Sequence, residues 1–182
     1  MALLVLGLIL WIGAHLFKRL APDARAGMGE QKGRGLVALT IGLGLVLIIF
    51  GYRQSAIVDL WYPPAFLSHV NNLLMLLAMY LFGLGAVKGR LAQLVRHPQL
   101  TAVKTWALAH LLVNGDLASI LLFGGIMGWA VAEVVLINKA EPAWTPPETV
   151  NQRGDLLNVA YALTAFVVVA VVHNWLGYYP FG

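Results

Sequence analysis

Apolar runs, each close to the length of a membrane-spanning helix, recur along the whole chain and constrain its fold more than any other feature. A helix of about 20 apolar residues crosses the hydrocarbon core of a bilayer. Charged residues make up only 11% of the chain, whereas a soluble domain has about 25%. The sequence therefore predicts an all-α integral membrane protein, a single domain over residues 1–182 surrounded by membrane lipid. We expect a bundle of about six transmembrane helices, at about residues 2–17, 36–52, 65–87, 98–114, 117–137 and 156–175.

The basic residues are distributed unevenly over the segments that join these runs. Eleven of the twelve Lys and Arg residues lie in the alternate segments 18–35, 88–104 and 138–155, and only Arg53 lies on the other side. Because cytoplasmic loops carry the excess of basic residues, both termini are expected outside. The net charge of +4 does not indicate a nucleic-acid partner, since the basic residues lie in these loops.

Two of the predicted spans, the first and the fourth, need separate interpretation. Lys18 and Arg19 follow the first run, whereas a cleavable signal peptide has basic residues before its apolar stretch. We therefore interpret the first run as a retained span. The fourth run is the weakest, because Lys104 lies one turn inside it and the turn residues 114–116 end it early. It is either a complete span or a partly embedded helix that forms a tight hairpin with the fifth.

Several classes of metal chemistry are excluded by composition. The chain has no cysteine, which rules out disulfides, Fe–S clusters, thiolate-ligated haem and covalently attached haem. No two histidines have the close spacing of the H-E-x-x-H zinc motif. Glu133 is the only acidic residue inside the predicted spans, so a di-iron carboxylate site is not expected.

Histidines are the informative polar residues of the predicted spans. An imidazole in a bilayer is costly unless it is paired or coordinated, and is a functional candidate by default. The alternative is a hydrogen bond across helices. Isolated histidines on separate helices, among bulky apolar residues, suit axial ligation of haem b. Four of the five histidines lie in or at the ends of spans, and the fifth begins the fourth span: His15, His69, His110, His173 and His97.

His15 and His110 are the favoured pair because their surroundings match. Each follows a tryptophan by four residues, Trp11 and Trp106 respectively, so each shares a helix face with it. If Lys104 marks the cytoplasmic interface, His110 lies roughly 9 Å inside the membrane and His15 roughly 3–5 Å inside, by the helical rise. One tilted haem then reaches both, whereas His69 and His173 are expected towards the opposite face. The remaining candidate cofactor-binding residues are Asn114, on the face of His110, and the propionate partners Lys18, Arg19 and Lys104.

Several short motifs together resemble the NnrU family. They are "GAHLF" at the end of the first run, "RHPQL", "KTWALAHLLVNGD", "LLFGG" and a late histidine. The family is named for its association with nitrite and nitric oxide reduction in denitrifying bacteria, and is homologous to the plastid 15-cis-ζ-carotene isomerase, a haem b membrane enzyme. In that enzyme, histidine ligation of the iron depends on redox state. The resemblance implies a protein of the bacterial inner membrane.

The resemblance also implies roles for individual residues. His15, in "GAH", and His110, in "WALAH", correspond to the haem ligands, while His69 and His97 resemble further family histidines. The leading hypothesis is therefore haem b bound by His15 and His110, with His69, His97 and His173 as alternate ligands. The chemistry would be redox or cis–trans isomerisation at the iron, acting on an apolar polyene or on NO.

Two other hypotheses remain open at this point. One is a non-enzymatic accessory or assembly factor for a nitrite or nitric oxide reductase, with histidines that serve only as interhelical hydrogen-bond partners. The other is a small transporter whose histidines line a proton path, which predicts more acidic residues in the spans than Glu133 alone.

Overall fold

The regular elements in the described part of the chain are all helices. The computed structural model describes residues 1–148 and 150–181. Its α-helices are α1 (Ala2–Leu20), α2 (Pro22–Gly27), α3 (Glu30–Arg53), α4 (Leu67–Val87), α5 (Pro98–Val113), α6 (Leu117–Ala140) and α7 (Gly154–Trp175). A short 3-10 helix, Arg90–Gln93, lies between α4 and α5.

Five of these helices, α1, α3, α4, α6 and α7, are long and apolar enough to cross a membrane. The predicted all-α membrane fold is therefore confirmed. Helix α5, at the fourth predicted span, has 16 residues and a length of about 24 Å, which is short for a complete crossing. The sixth span and the orientation stay predictions. Helix α3 begins at Glu30, six residues before the apolar run, so it carries part of the basic segment.

The chain divides into two compact units. The first contains residues 1–61 and 115–129. Its helices α1 and α3 pack backbone to backbone, because Gly7 lies against Gly44: a Cβ on Gly7 would be 2.8 Å from the Gly44 carbonyl oxygen. Such small residues let helices approach closely in a membrane. Beside this seam, Leu4, Leu8, Ile48 and Ala118 form a buried apolar cluster.

The segment after α3 is bonded to the turn that precedes α6, also within the first unit. The Leu60 amide donates to the Gly115 carbonyl at 2.8 Å, and the Leu117 amide donates to the Val58 carbonyl at 2.9 Å. Asp116 then caps α6 by accepting from the Ser119 amide at 3.0 Å. The end of α3 and the start of α6 therefore lie together. The predicted topology places both of them on the same side of the membrane.

The second unit contains residues 62–114 and 130–182. In it α4 packs against α5 and α7. The Asn158 side chain is buried in α7 and donates to the Tyr80 carbonyl at 2.7 Å. At the first turn of α7, Asp155 accepts from the Arg90 amide at 2.9 Å. The start of α5 lies beside the last turn of α6, where the His97 ring is 2.8 Å from the Asn138 side-chain oxygen.

Candidate functional site

Three of the five histidines hold the same local geometry. Nδ1 of His15, His110 and His173 lies 2.8, 2.9 and 2.8 Å from the carbonyl oxygen four residues earlier. A carbonyl only accepts, so Nδ1 is the donor in each case. In the neutral ring this fixes the tautomer with the lone pair on Nε2, directed away from its own helix backbone. Metal-ligating histidines are commonly oriented by such a bond.

The imidazole of His15 is enclosed by two tryptophans within the first unit. The ring of Trp11 is centred 3.9 Å from the His15 ring, and the ring of Trp129 is centred 5.0 Å from it. The two indoles meet edge to face at 4.7 Å. Trp11 was expected from its spacing, whereas Trp129 was not, because nothing local in α6 associates it with α1. The sequence signal was limited to a large aromatic on a predicted span.

Trp129 carries an unsatisfied polar atom. Its indole Nε1 is buried and has no hydrogen-bond partner in the described part of the chain. Buried polar groups normally have partners, so this donor in the tryptophan–histidine cluster indicates a polar group supplied by water or by a bound molecule.

A cavity of about 660 Å³, which we call the His15 cavity, lies within the first unit. Its volume is within the roughly 300–1,000 Å³ range of small-molecule sites. One part of its wall is apolar and another is basic. The lining residues include His15 and Lys18 from α1, Arg25 from α2, and Arg34, Val37 and Ile41 from α3.

The charge lining the His15 cavity is predominantly positive. Glu30 is the one carboxylate among its described lining residues, and it forms an ion pair with Arg34 at 2.6 Å. Lys18 and Arg25 add two further positive charges. Lys18, one of the residues expected to bind a propionate, thus lines the His15 cavity. Arg19 is exposed in the last turn of α1 and is not among the lining residues.

His110 lies in the last turn of α5, within the second unit. Its ring is centred 5.1 Å from that of Trp106. Asn114 contacts the backbone of His110 and not its ring: the Asn114 side-chain amide donates to the His110 carbonyl at 2.8 Å. Lys104 is half-buried in the middle of the same helix.

The expected separation of His110 from His173 is wrong. Both line one cavity of about 50 Å³ within the second unit, which we call the His110 cavity. The depth estimate took Lys104 as the membrane interface, but α5 already begins at Pro98. His110 thus follows the start of α5 by about 18 Å. A cavity of this size holds a water molecule and is too small for a haem.

A buried amide also lines the His110 cavity. The Asn71 side chain is 9% exposed, and its Nδ2 donates to the Asn72 side-chain oxygen at 3.1 Å. Its Oδ1 is buried without a hydrogen-bond partner among the described residues. The residue was not singled out from the sequence, where an asparagine pair near a span end carries no specific signal. Its unsatisfied oxygen indicates a donor such as an ordered water.

The remaining histidines lie elsewhere. His69 is exposed in the first turn of α4, and Nε2 of His97 is bonded to Asn138. Within residues 1–148 and 150–181, no three His, Asp or Glu side chains are grouped so that they could hold a metal ion. The structure thus brings His15, Trp11 and Lys18 together in one unit, and His110, Trp106 and Asn114 in the other.

Comparison with known proteins gives one match. The sequence matches the family described as "NnrU protein" over residues 3–180. No protein with a curated description and no solved structure matches the chain.

Proposed function

Because the chain belongs to the NnrU family, we propose that it binds haem b in the membrane, with one candidate axial ligand in each unit, His15 in the first and His110 in the second. The observation that carries this proposal is the His15 cavity, where an oriented imidazole meets both apolar and basic walls. His110 is included because its motif "WALAH" resembles the surroundings of a haem ligand in the related isomerase, and its Nδ1 is held in the same way as that of His15.

The residues around His15 fit the chemistry of a haem. A macrocycle needs apolar contacts, which Val37 and Ile41 offer in this cavity. Its propionates need cations, and Lys18 and Arg25 line the same cavity. A haem iron accepts an imidazole nitrogen as axial ligand.

The protein's contribution is orientation. The Trp11 carbonyl holds the His15 Nδ1–H at 2.8 Å, which keeps the lone pair on Nε2. The rings of Trp11 and Trp129 restrict rotation of that imidazole. In α5 the Trp106 carbonyl likewise accepts from the His110 Nδ1–H, which keeps the lone pair of His110 on Nε2. A haem bound by these histidines would supply a redox-active iron suited to binding a diatomic molecule or polarising a polyene double bond.

The reaction and the setting are part of the same proposal. We assign the protein to the inner membrane of a bacterium, with redox or cis–trans isomerase chemistry on NO or an apolar polyene. A partnership with a respiratory nitrogen-oxide reductase would link that chemistry to denitrification. Family membership supports the membrane setting, while the reaction depends on the chemistry of the site.

A haem spectrum tests the proposal directly. The protein, produced with ample haem supply and purified in a mild detergent, is expected to have a Soret band and to give a b-type pyridine haemochrome. Circular dichroism would establish that the same preparation is helical. Helical protein that retains no haem after addition of haemin would overturn haem binding and favour an accessory or transport role.

A further inference from the structure

Arg25 occupies a distinctive position on the wall of the His15 cavity. It lies in α2, the six-residue helix that connects α1 to α3. Its guanidinium packs directly over Gly33 of α3, where any side chain would overlap it. Gly33 is consequently buried, although the residues on either side of it are exposed. The missing side chain at residue 33 creates the space in which the guanidinium lies.

Among the described residues, the guanidinium of Arg25 has no acidic partner. Its Nη1 donates to the Gly29 carbonyl at 3.4 Å, and no carboxylate of the described residues forms an ion pair with it. Glu30, the acid lining the same cavity, is bound by Arg34. Arg25 is therefore a half-buried cation that is held in place by backbone and still has donors for an anion. A guanidinium binds carboxylates through two parallel hydrogen bonds, which makes it specific for that group.

We propose that Arg25 is the residue that recognises a propionate carboxylate of the haem, assisted by Lys18 from α1. The inference rests on the proposed function. Lys18 follows His15 by three residues and shares its helix face, and both residues line the cavity with Arg25. The two basic residues and His15 thus line one cavity. Arg19, expected from sequence to bind a propionate, does not line it.

The inference is tested by changing the ligand and the protein together. Haemin and its dimethyl ester, in which both propionates lack charge, are titrated into the purified protein and binding is followed at the Soret band. The unmodified chain is expected to bind haemin about tenfold more tightly than the ester, which corresponds to one charge-assisted hydrogen bond. Arg25→Gln should lose most of that preference while binding the ester as before. Gly33→Ala, which displaces the guanidinium, should reduce the preference in the same way.

Two further variants separate recognition from structure. Arg25→Lys keeps the charge without the planar fork and should retain part of the preference. Lys32→Gln is the matched control, because Lys32 is an exposed basic residue of α3 that does not line the cavity. This variant should keep the full preference for haemin over the ester. An undiminished preference for haemin in Arg25→Gln would overturn the inference. So would an equal loss of both ligands in Arg25→Gln and Arg25→Lys, which would make the role structural. If the unmodified chain binds neither ligand, the proposed function itself fails.

Discussion

His110 and His173 line one small cavity, although 63 positions separate them in the sequence and they lie on different helices. In both, Nδ1 is bonded to the carbonyl one turn earlier in its own helix. The neutral rings therefore carry their lone pairs on Nε2. Asn71, whose buried Oδ1 has no hydrogen-bond partner among the described residues, lines the same cavity. This relationship makes His173 the most informative alternate to the proposed ligand pair.

His15→Ala is expected to lower haem retention severely, or to convert a low-spin spectrum to a high-spin one. The reason is that the substitution removes the oriented imidazole of His15, a residue that lines the His15 cavity. The measurement is the haem-to-protein ratio together with the Soret and α/β bands. His97→Ala is the control, because His97 is bonded to Asn138 in the second unit. A normal spectrum in His15→Ala would contradict the assignment.

His110→Ala is expected to remove the low-spin spectrum, while His173→Ala leaves the oxidised spectrum largely intact. His110 is proposed as the ligand, and His173 contributes only to the cavity beside it. Optical and electron paramagnetic resonance spectra of the two purified variants distinguish these outcomes. Loss of the low-spin species in His173→Ala, with a normal spectrum in His15→Ala, would instead make His110 and His173 the ligand pair.

Gly44→Ala is expected to destabilise the protein by about 1–3 kcal/mol, the usual cost of overpacking a close contact. A Cβ at this position would lie 2.9 Å from the Trp11 backbone nitrogen, so α1 and α3 must separate. Thermal unfolding in detergent measures the change. Gly42→Ala is the matched control, since a Cβ there meets nothing within 4 Å. Equal stability of the two variants would show that the α1–α3 seam does not limit stability.

Single cysteines test the number and direction of the spans, and the native chain has no cysteine to interfere. Cysteines at Gln31 and Leu94 should react with an impermeant reagent from the cytoplasmic side, and a cysteine at Ile57 from the outside. All three positions are exposed. Because segment 58–61 is bonded to the turn before α6, labelling of Leu94 and Ile57 from opposite sides also requires α5 to cross. Labelling of both from one side would mean that neither α4 nor α5 crosses, because Ile57 and Leu94 flank α4, and would reduce the fold to four spans.

The helices could be predicted because apolar runs of this length have one stable arrangement in lipid, with every backbone group bonded inside the segment. The local partners of the histidines, Trp11 and Trp106, were equally predictable, since residues one helical turn apart must meet. Trp129 and Arg25 were not. Trp129 reaches His15 through packing between distant parts of the chain, and the position of Arg25 depends on the missing side chain of Gly33.

The error in depth at His110 has a different physical origin. A lysine in a predicted span was assumed to mark the membrane surface, but Lys104 is half-buried inside α5. Long basic side chains extend along apolar surface to reach water, so the position of their Cα is a poor measure of depth. The helix boundary at Pro98, which the sequence did signal, would have given the better estimate.

The close seam between α1 and α3 bears on how relatives of this protein can diverge. Gly7 and Gly44 hold the two helices in register by backbone contact, so the position of His15 on α1 does not depend on the side chains of α3 that face the cavity. Substitutions at Val37, Ala38 and Ile41 would therefore enlarge, narrow or reshape the cavity while the imidazole stays where it is. A lineage that keeps these glycines can acquire new ligand preferences through three neighbouring side chains, without rebuilding the anchoring of its histidine.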